Sequence, residues 1–297
     1  MSPLRFVLSG LLLGVPVSAQ DPDPSKVEIK VEKVGGNIYM LTGTGGNIGV
    51  SVGDDGVLLV DDQFEPLVPK IEAALKGITP KPVRFVLNTH YHGDHTNGNK
   101  VFGRTATIIA HDNVRRRMMD DDDFDGKKGT RAPAHALPLI TFDNKLSVWL
   151  NGEEVRGIHL PSGHTDGDTV VWFTKANVVH MGDDFFNGMF PFIDMASGGS
   201  VEGYVAAVEK VLGQLPADVK IIPGHGPLAT REDLERYLAM LKDTTAAVRK
   251  GVAAGKTADQ LKAEKVLAAW DEWSWDFIST DKFIDQLHAG LTATRKP

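Results

Sequence analysis

The sequence predicts an α+β protein in which two halves, each with strands before helices, pack sheet against sheet with the helices outside. Strand-like runs bounded by glycine give way to helical periodicity twice, in residues 27–140 and again in residues 145–250. The chain has 297 residues, which is enough to bury a substantial core. Its 42% hydrophobic and 24% charged residues exclude collagen, a coiled coil and a disordered chain.

The first half begins with an antiparallel meander and continues with buried strands. A helix is predicted over residues 66–76, where apolar residues recur near every 3.6 positions. Residues 115–138 are charged and contain proline and glycine, which predicts a long surface loop with room for a short helix at its start. This loop is either a lid or a solvated charged segment. The predicted strands are 27–34, 37–41, 47–52 and 57–61, then 83–87, interpreted as buried on both faces, and 107–110.

The second half repeats this order. A helix is predicted over residues 201–213, and Thr230 caps a long helix whose first turn carries Glu232 and Asp233. Residues from about 256 to 297 are predicted as a helical tail of the same domain, since no linker precedes them. The predicted strands are 145–150, 155–160, 169–173, 178–180 and 219–222.

The N-terminus has the pattern of a cleavable signal peptide. Arg5 is followed by an apolar stretch, and small residues at 17–19 provide a cleavage site. We therefore expect residues 1–19 to be removed, leaving one domain over residues 20–297 that is periplasmic or secreted. The stretch is too short to span a bilayer comfortably, so no membrane span is expected after cleavage.

Charge and cysteine content exclude several functions. The net charge is −7, and the basic run 115–117 is followed at once by Asp120–Asp123, so the sequence does not predict a nucleic-acid partner. Without cysteine, the chain has no thiol nucleophile and no zinc-cysteine site. Any metal would therefore be bound by His, Asp or Glu.

Three histidines and an aspartate lie within six residues, directly after the strand predicted at 83–87: His90, His92, Asp94 and His95. Packing these imidazoles without a metal would leave several polar nitrogens in need of partners. If the turn projects alternate side chains the same way, His90 and His92 face one ion, and Asp94 and His95 face a second position. Imidazole and carboxylate donors suit Zn²⁺ best, with Fe and Mn as alternatives.

Further donors are expected at strand ends beside glycine. His164 follows Gly163, Asp183 follows Gly182 after the strand 178–180, and His225 follows Gly224 after the strand 219–222. Loops that leave a sheet edge commonly carry functional side chains.

Together these residues resemble the metallo-β-lactamase-fold hydrolases. The motif His-x-His-x-Asp-His is matched at residues 90–95, and the later His, Asp and His follow in order, so the likeness covers about residues 27–230. The resemblance implies a four-layer αββα sandwich with two Zn²⁺ ions. It implies that His90, His92 and His164 hold one ion, that Asp94, His95 and His225 hold the other, and that Asp183 bridges both, as in the glyoxalase II-like branch.

The resemblance also implies a reaction. Water that bridges two cations loses its proton near neutral pH, so a bridging hydroxide would attack a carbonyl while Asp94 helps to orient it. The expected substrate is a small molecule with an ester, thioester, lactone or amide bond. The alternatives are an iron-dependent redox member of the fold and a non-catalytic metal-bearing binding protein.

The likeness leaves the natural substrate, the native metal and the oligomeric state open. The β-lactamases without a cysteine ligand resemble the chain at the first motif and in export, but they usually lack a carboxylate where Asp183 stands, so any β-lactam hydrolysis is expected to be weak. Glyoxalase II matches the ligands better, yet its glutathione-binding region has no counterpart here.

The phenylalanines of residues 185–192 are expected to form an apolar wall near the metals. The tryptophans of residues 270–275 are expected to anchor the tail to the core.

Overall fold

The computed structural model describes residues 23–120 and 131–293. The predicted signal peptide and most of the acidic run at 120–123 lie outside these ranges. Within them, no helix is both long enough and apolar enough to span a membrane.

The first half forms a seven-stranded sheet. The first four strands form the predicted antiparallel meander, and the last three add in parallel. Its strands lie in the order β1 (Lys30–Gly35), β2 (Ile38–Thr42), β3 (Ile48–Gly53), β4 (Gly56–Val60), β5 (Val83–Leu87), β6 (Thr107–His111) and β7 (Ile140–Phe142). Its helices are α1 (Val68–Ile78), α2 (Gly93–Thr96), α3 (Asn99–Phe102) and α4 (Asp112–Met119).

The second half forms a six-stranded sheet in which only β11 and β12 pair in parallel. Its strands, in chain order, are β8 (Lys145–Leu150), β9 (Glu153–Leu160), β10 (Asp168–Phe173), β11 (Val178–His180), β12 (Lys220–Ile222) and β13 (Ala229–Thr230). Its helices are α5 (Val201–Leu212), α6 (Arg231–Ala253), α7 (Ala258–Ala263) and α8 (Thr280–Thr292). The side chain of Thr230 accepts a hydrogen bond from the Asp233 N–H, and the Asp233 carboxylate accepts one from the Thr230 N–H, so α6 begins at the predicted cap.

The buried apolar residues form three layers of packing. One layer lies between the sheets, where Leu58 and Val60 of the first meet Val171 and Phe173 of the second. A second layer fills the space between the first sheet and α1. The third and largest layer joins the second sheet to α5, α6 and α8. This arrangement is the αββα sandwich that the sequence predicts.

The structure departs from the predicted elements in three places. Arg84 of β5 is exposed, so the strand is buried on both faces only at its end, where Val86 and Leu87 pack into different layers. Two short helices, α2 and α3, and the strands β7 and β13 were not predicted, because runs of two to four residues carry too little periodicity. The tail from residue 256 is only partly helical, since loops separate α7, a 3₁₀ turn at Ala268–Trp273, and α8.

Candidate metal centre

The histidine-rich motif occupies the connection from β5 into α2. His92 is the residue before the helix, so Gly93–Thr96 turn the chain sharply and place Asp94 and His95 beside the two earlier histidines. His90, His92 and His95 are at most 4% exposed, whereas the Asp94 side chain keeps 28% of its surface exposed.

The second sheet supplies the remaining donors from three loops at the same end of the sandwich. His164 lies between β9 and β10, Asp183 lies in the turn after β11, and His225 follows β12. Gly224 is needed beside Asp183, because a Cβ added at that position would stand 2.1 Å from Asp183 Oδ1. All seven residues that the sequence singled out therefore lie in one place.

The seven donors divide into two groups. We call His90, His92 and His164 group one and Asp94, His95 and His225 group two; the Asp183 carboxylate clusters with group one and also contacts group two. In group one, His92 Nδ1 lies 3.1 Å from His90 Nε2 and 2.9 Å from His164 Nε2. In group two, His225 Nε2 lies 3.4 Å from both His95 Nε2 and Asp94 Oδ2.

Asp183 faces both groups, with one carboxylate oxygen towards each. Its Oδ2 lies 3.5 Å from His164 Nε2 and 3.7 Å from His90 Nε2. Its Oδ1 lies 3.1 Å from His95 Nε2 and 3.4 Å from His225 Nε2, and has no hydrogen-bond partner among the described residues. Each carboxylate oxygen of Asp183 is therefore within reach of a different group of donors.

The donor set fits divalent cations. Burial lowers the pKa of His164 to about 4 and that of His90 well below its usual range, so these rings are neutral and offer lone pairs. Burial opposes protonation of His225 as well, but the carboxylates of Asp183 and Asp94 raise its pKa to about 9. Group two therefore attracts positive charge, which a cation would supply.

Other hydrogen bonds hold the ligand rings in place. His164 Nδ1 lies 2.8 Å from the carbonyl oxygen of Phe192. His95 Nδ1 lies 2.8 Å from Asp61 Oδ2, and Asp61 also accepts hydrogen bonds from the N–H and hydroxyl of Thr89. Each such contact on one ring nitrogen leaves the other nitrogen directed at the centre.

Asp194 holds His92 in the same way. Its Oδ2 lies 3.0 Å from His92 Nε2 and accepts a hydrogen bond of 2.8 Å from the Tyr91 hydroxyl. Sequence reasoning did not identify Asp61 or Asp194. Asp61 could have been found, because it ends the strand predicted at 57–61, where loops that leave a sheet edge commonly carry functional side chains. Asp194 lies in a loop without a motif, and nothing in the sequence marks it.

Asp184 and the other histidines belong to neither group. Asp184 is buried rather than at the surface, and burial raises the pKa of its carboxyl to about 8. His180 lies 3.0 Å from the carbonyl oxygen of Asn47 and accepts a hydrogen bond from Gly182 N–H, so it braces the turn that carries Asp183. His111 and His159 stack on each other at 3.7 Å.

The aromatic segments contribute to the site only in part. Phe186 stacks on His225 with ring centroids 4.9 Å apart, and Phe192 lies 5.9 Å from His164, as expected for an apolar wall. Phe185 and Phe190 instead point into the core. Trp273 anchors the tail in the core as predicted, whereas Trp275 reaches the site and lies 6.1 Å from His225.

Fold and site together define an α+β protein with a candidate two-cation centre at one end of its paired sheets. The sequence profile of the Metallo-beta-lactamase superfamily matches residues 36–225, and the chain belongs to that superfamily.

Individual relatives are distant. A linear primary-alkylsulfatase from a Pseudomonas species is 24% identical over 80% of this chain, and the chain spans only 54% of its length. A metallo-beta-lactamase type 2 from Bacteroides fragilis is 24% identical, with 77% of this chain and 92% of that protein covered. The structure of a metallo-beta-lactamase from Pontibacter korlensis aligns with a TM-score of 0.61 at 17% identity, covering 73% of this chain and all of that one. This structural alignment confirms the predicted fold.

Proposed function

We propose that the chain is an exported hydrolase that holds two zinc ions and cleaves an ester, thioester, lactone or amide bond by attack of water on its carbonyl carbon. The observation that carries this proposal is Asp183, whose two oxygens face separate groups of three donors. Group one, Asp183 and group two would hold the pair of cations. Bound cations would supply Lewis acidity, which polarises a carbonyl and makes water more acidic.

The residues of the chain then have separate tasks. Group one is deeply buried, so its side chains would hold a cation without contacting solvent. Asp94 is the most exposed donor; burial opposes its ionisation, but the neighbouring His95 and His225 lower its pKa to about 2. An ionised, accessible Asp94 can accept a hydrogen bond from an attacking water and orient it. No protein nucleophile is required, in keeping with the absence of cysteine.

The related proteins do not agree on a substrate. One is named for alkyl sulfates and another for β-lactams. We propose esters, thioesters, lactones and amides as the substrate class, with weak hydrolysis of β-lactams included. The alternatives are an iron-dependent redox protein and a binding protein without catalysis, both of which could use the same donors.

Metal analysis combined with a hydrolysis panel tests the proposal. The purified protein is analysed for metals and assayed with nitrocefin, an acyl-homoserine lactone, a glutathione thioester and nitrophenyl esters. We expect two zinc ions per chain and turnover of at least one carbonyl substrate. One iron per chain without hydrolysis would favour the redox alternative, and two bound metals with no turnover of any substrate would favour the binding protein.

Export is tested separately by fractionating cells that express the full chain. We expect a periplasmic or secreted protein whose first residue is Gln20, since residues 17–19 fit a cleavage site. A cytoplasmic protein that retains residues 1–19 would contradict this part of the proposal.

A further inference from the structure

Four aromatic rings form a continuous wall along the candidate metal centre. We call Phe186, Phe192, Trp275 and Phe277 the aromatic wall. Phe186 stacks on His225 of group two, and Trp275 lies 6.1 Å from Phe186. Phe277 lies 5.6 Å from both Trp275 and Phe192. Phe192 completes the wall beside His92 and His164 of group one. The wall therefore runs from one group to the other.

Half of this wall comes from a region that the superfamily match does not include. The match ends at residue 225, whereas Trp275 and Phe277 lie in the loop between the turn Ala268–Trp273 and α8. The superfamily match therefore does not include these two rings.

Hydrogen bonds fix the loop against the segment that follows Asp183. The indole N–H of Trp275 donates to the carbonyl oxygen of Phe190 at 2.9 Å, and the Phe190 N–H donates to the carbonyl oxygen of Trp273 at 2.8 Å. Gln286 of α8 accepts from the Ile193 N–H and donates to the Pro191 carbonyl oxygen. These bonds hold both ends of the segment that carries Phe192 and fix it against the loop that carries Trp275.

Exposure separates three of the four rings from ordinary core. Phe185 and Phe190 are completely buried and Phe186 of the wall is only 2% exposed, whereas Phe192, Trp275 and Phe277 are partly exposed. The N–H of Trp275 already has its acceptor, so its indole can offer an apolar face to a ligand. A fixed, partly exposed row of rings beside polar donors is the usual composition of a binding site for a small molecule.

We propose that the aromatic wall is a subsite for an aromatic group carried by the substrate next to the bond that is cleaved. This inference rests on the proposed function for its link to a reaction, but the binding of an aromatic group can be measured without turnover. Aromatic rings prefer offset or edge-to-face contact with other rings, and the partly exposed rings of Phe192, Trp275 and Phe277 offer such contact. A saturated ring of similar size would lack that preference.

Binding of three small carboxylates tests the subsite. Acetate, cyclohexylacetate and phenylacetate are titrated calorimetrically into the metal-loaded protein as it is purified. Because all three carry the same carboxylate, differences in affinity report the attached group. We expect phenylacetate to bind at least about tenfold more tightly than acetate, and more tightly than cyclohexylacetate. Equal affinity for phenylacetate and acetate would overturn the subsite, and equal affinity for the two rings would overturn its aromatic selectivity.

Variants locate the selectivity in the wall. Trp275→Ala and Phe277→Ala should each reduce the preference for phenylacetate over acetate several-fold. Trp149→Ala is the matched control, because Trp149 is 76% exposed on the edge strand β8, and it should leave the preference unchanged. If Trp275→Ala does not fold, Trp275→Leu retains apolar bulk without the indole and should still lose the preference. Lower thermal stability with an unchanged preference would assign Trp275 to packing alone and overturn the proposal.

The same binding data separate this inference from the proposed function. Selective binding of phenylacetate by a protein that hydrolyses none of the panel would support the subsite and contradict the hydrolase. Hydrolysis of acetate and phenylacetate esters of nitrophenol at equal kcat/KM, with no binding preference, would support the hydrolase and overturn the subsite.

Discussion

Group one and group two differ in burial and charge. The side chains of group one are at most 4% exposed, and its three donors are all imidazoles. In group two, Asp94 and His225 keep 28% and 16% of their side-chain surface exposed, and a carboxylate stands among the donors. From this comparison we expect group one to hold its cation more tightly and a substrate to approach through group two.

The Asp183 carboxylate lies between these two groups, so removing it should lower metal binding and activity more than a substitution in either group alone. In Asp183→Ala we expect both cations to be lost or weakly held, and activity to fall by at least about 10²-fold, more than a supporting residue would cost. Metal analysis and kcat/KM on the best substrate of the panel measure this. The matched control is Asp243→Ala, an exposed carboxylate on α6. Two retained metals in Asp183→Ala would show that the groups bind independently.

Single substitutions in each group sharpen the comparison. His92→Ala and Asp94→Ala should each lose metal and at least about 10²-fold of activity, the first by opening group one and the second by opening group two. We expect each variant to retain about one cation per chain, held by the intact group together with Asp183. Full activity in a metal-free His92→Ala protein would refute the assignment of the site.

The smallest expected effect concerns the carboxylate that orients His92. Asp194→Ala removes the acceptor 3.0 Å from His92 Nε2, so the ring loses its fixed orientation, and metal affinity should fall by about 10–100-fold. Asp194→Asn retains an acceptor oxygen and should restore part of the affinity. Competition with a chromophoric chelator measures the affinity without any assay of activity. Equal loss in both variants, together with reduced thermal stability, would indicate that Asp194 only supports the loop through its bond to Ser197.

Much of the fold and most of the site were predictable from the sequence, for a physical reason. His90, His92, Asp94 and His95 lie on one turn, so their position along the chain places them together, whereas His164, Asp183 and His225 were placed with them by the resemblance to the metallo-β-lactamase fold. The two strand-then-helix repeats predicted paired sheets with helices outside, and the same resemblance implied the four layers. The short elements α2, α3, β7 and β13 could not be predicted, because their conformation depends on tertiary contacts rather than on periodicity.

The supporting and lining residues were less predictable. Asp194 lies 102 residues from His92 along the chain, and their contact depends on how two loops from different sheets meet. Phe185 and Phe186 are neighbours, yet one packs against Tyr237 in the core and the other stacks on His225. The residue types in a segment do not predict which way each of its rings points. Trp273 and Trp275 divide in the same way, with one ring in the core and the other at the site.

Anomalous X-ray scattering at the zinc edge, from crystals of the purified protein, tests the central claim most directly. The account predicts two peaks, one among the donors of group one and one among those of group two, with the carboxylate of Asp183 between them. A single peak, or peaks away from the seven donors, would contradict it.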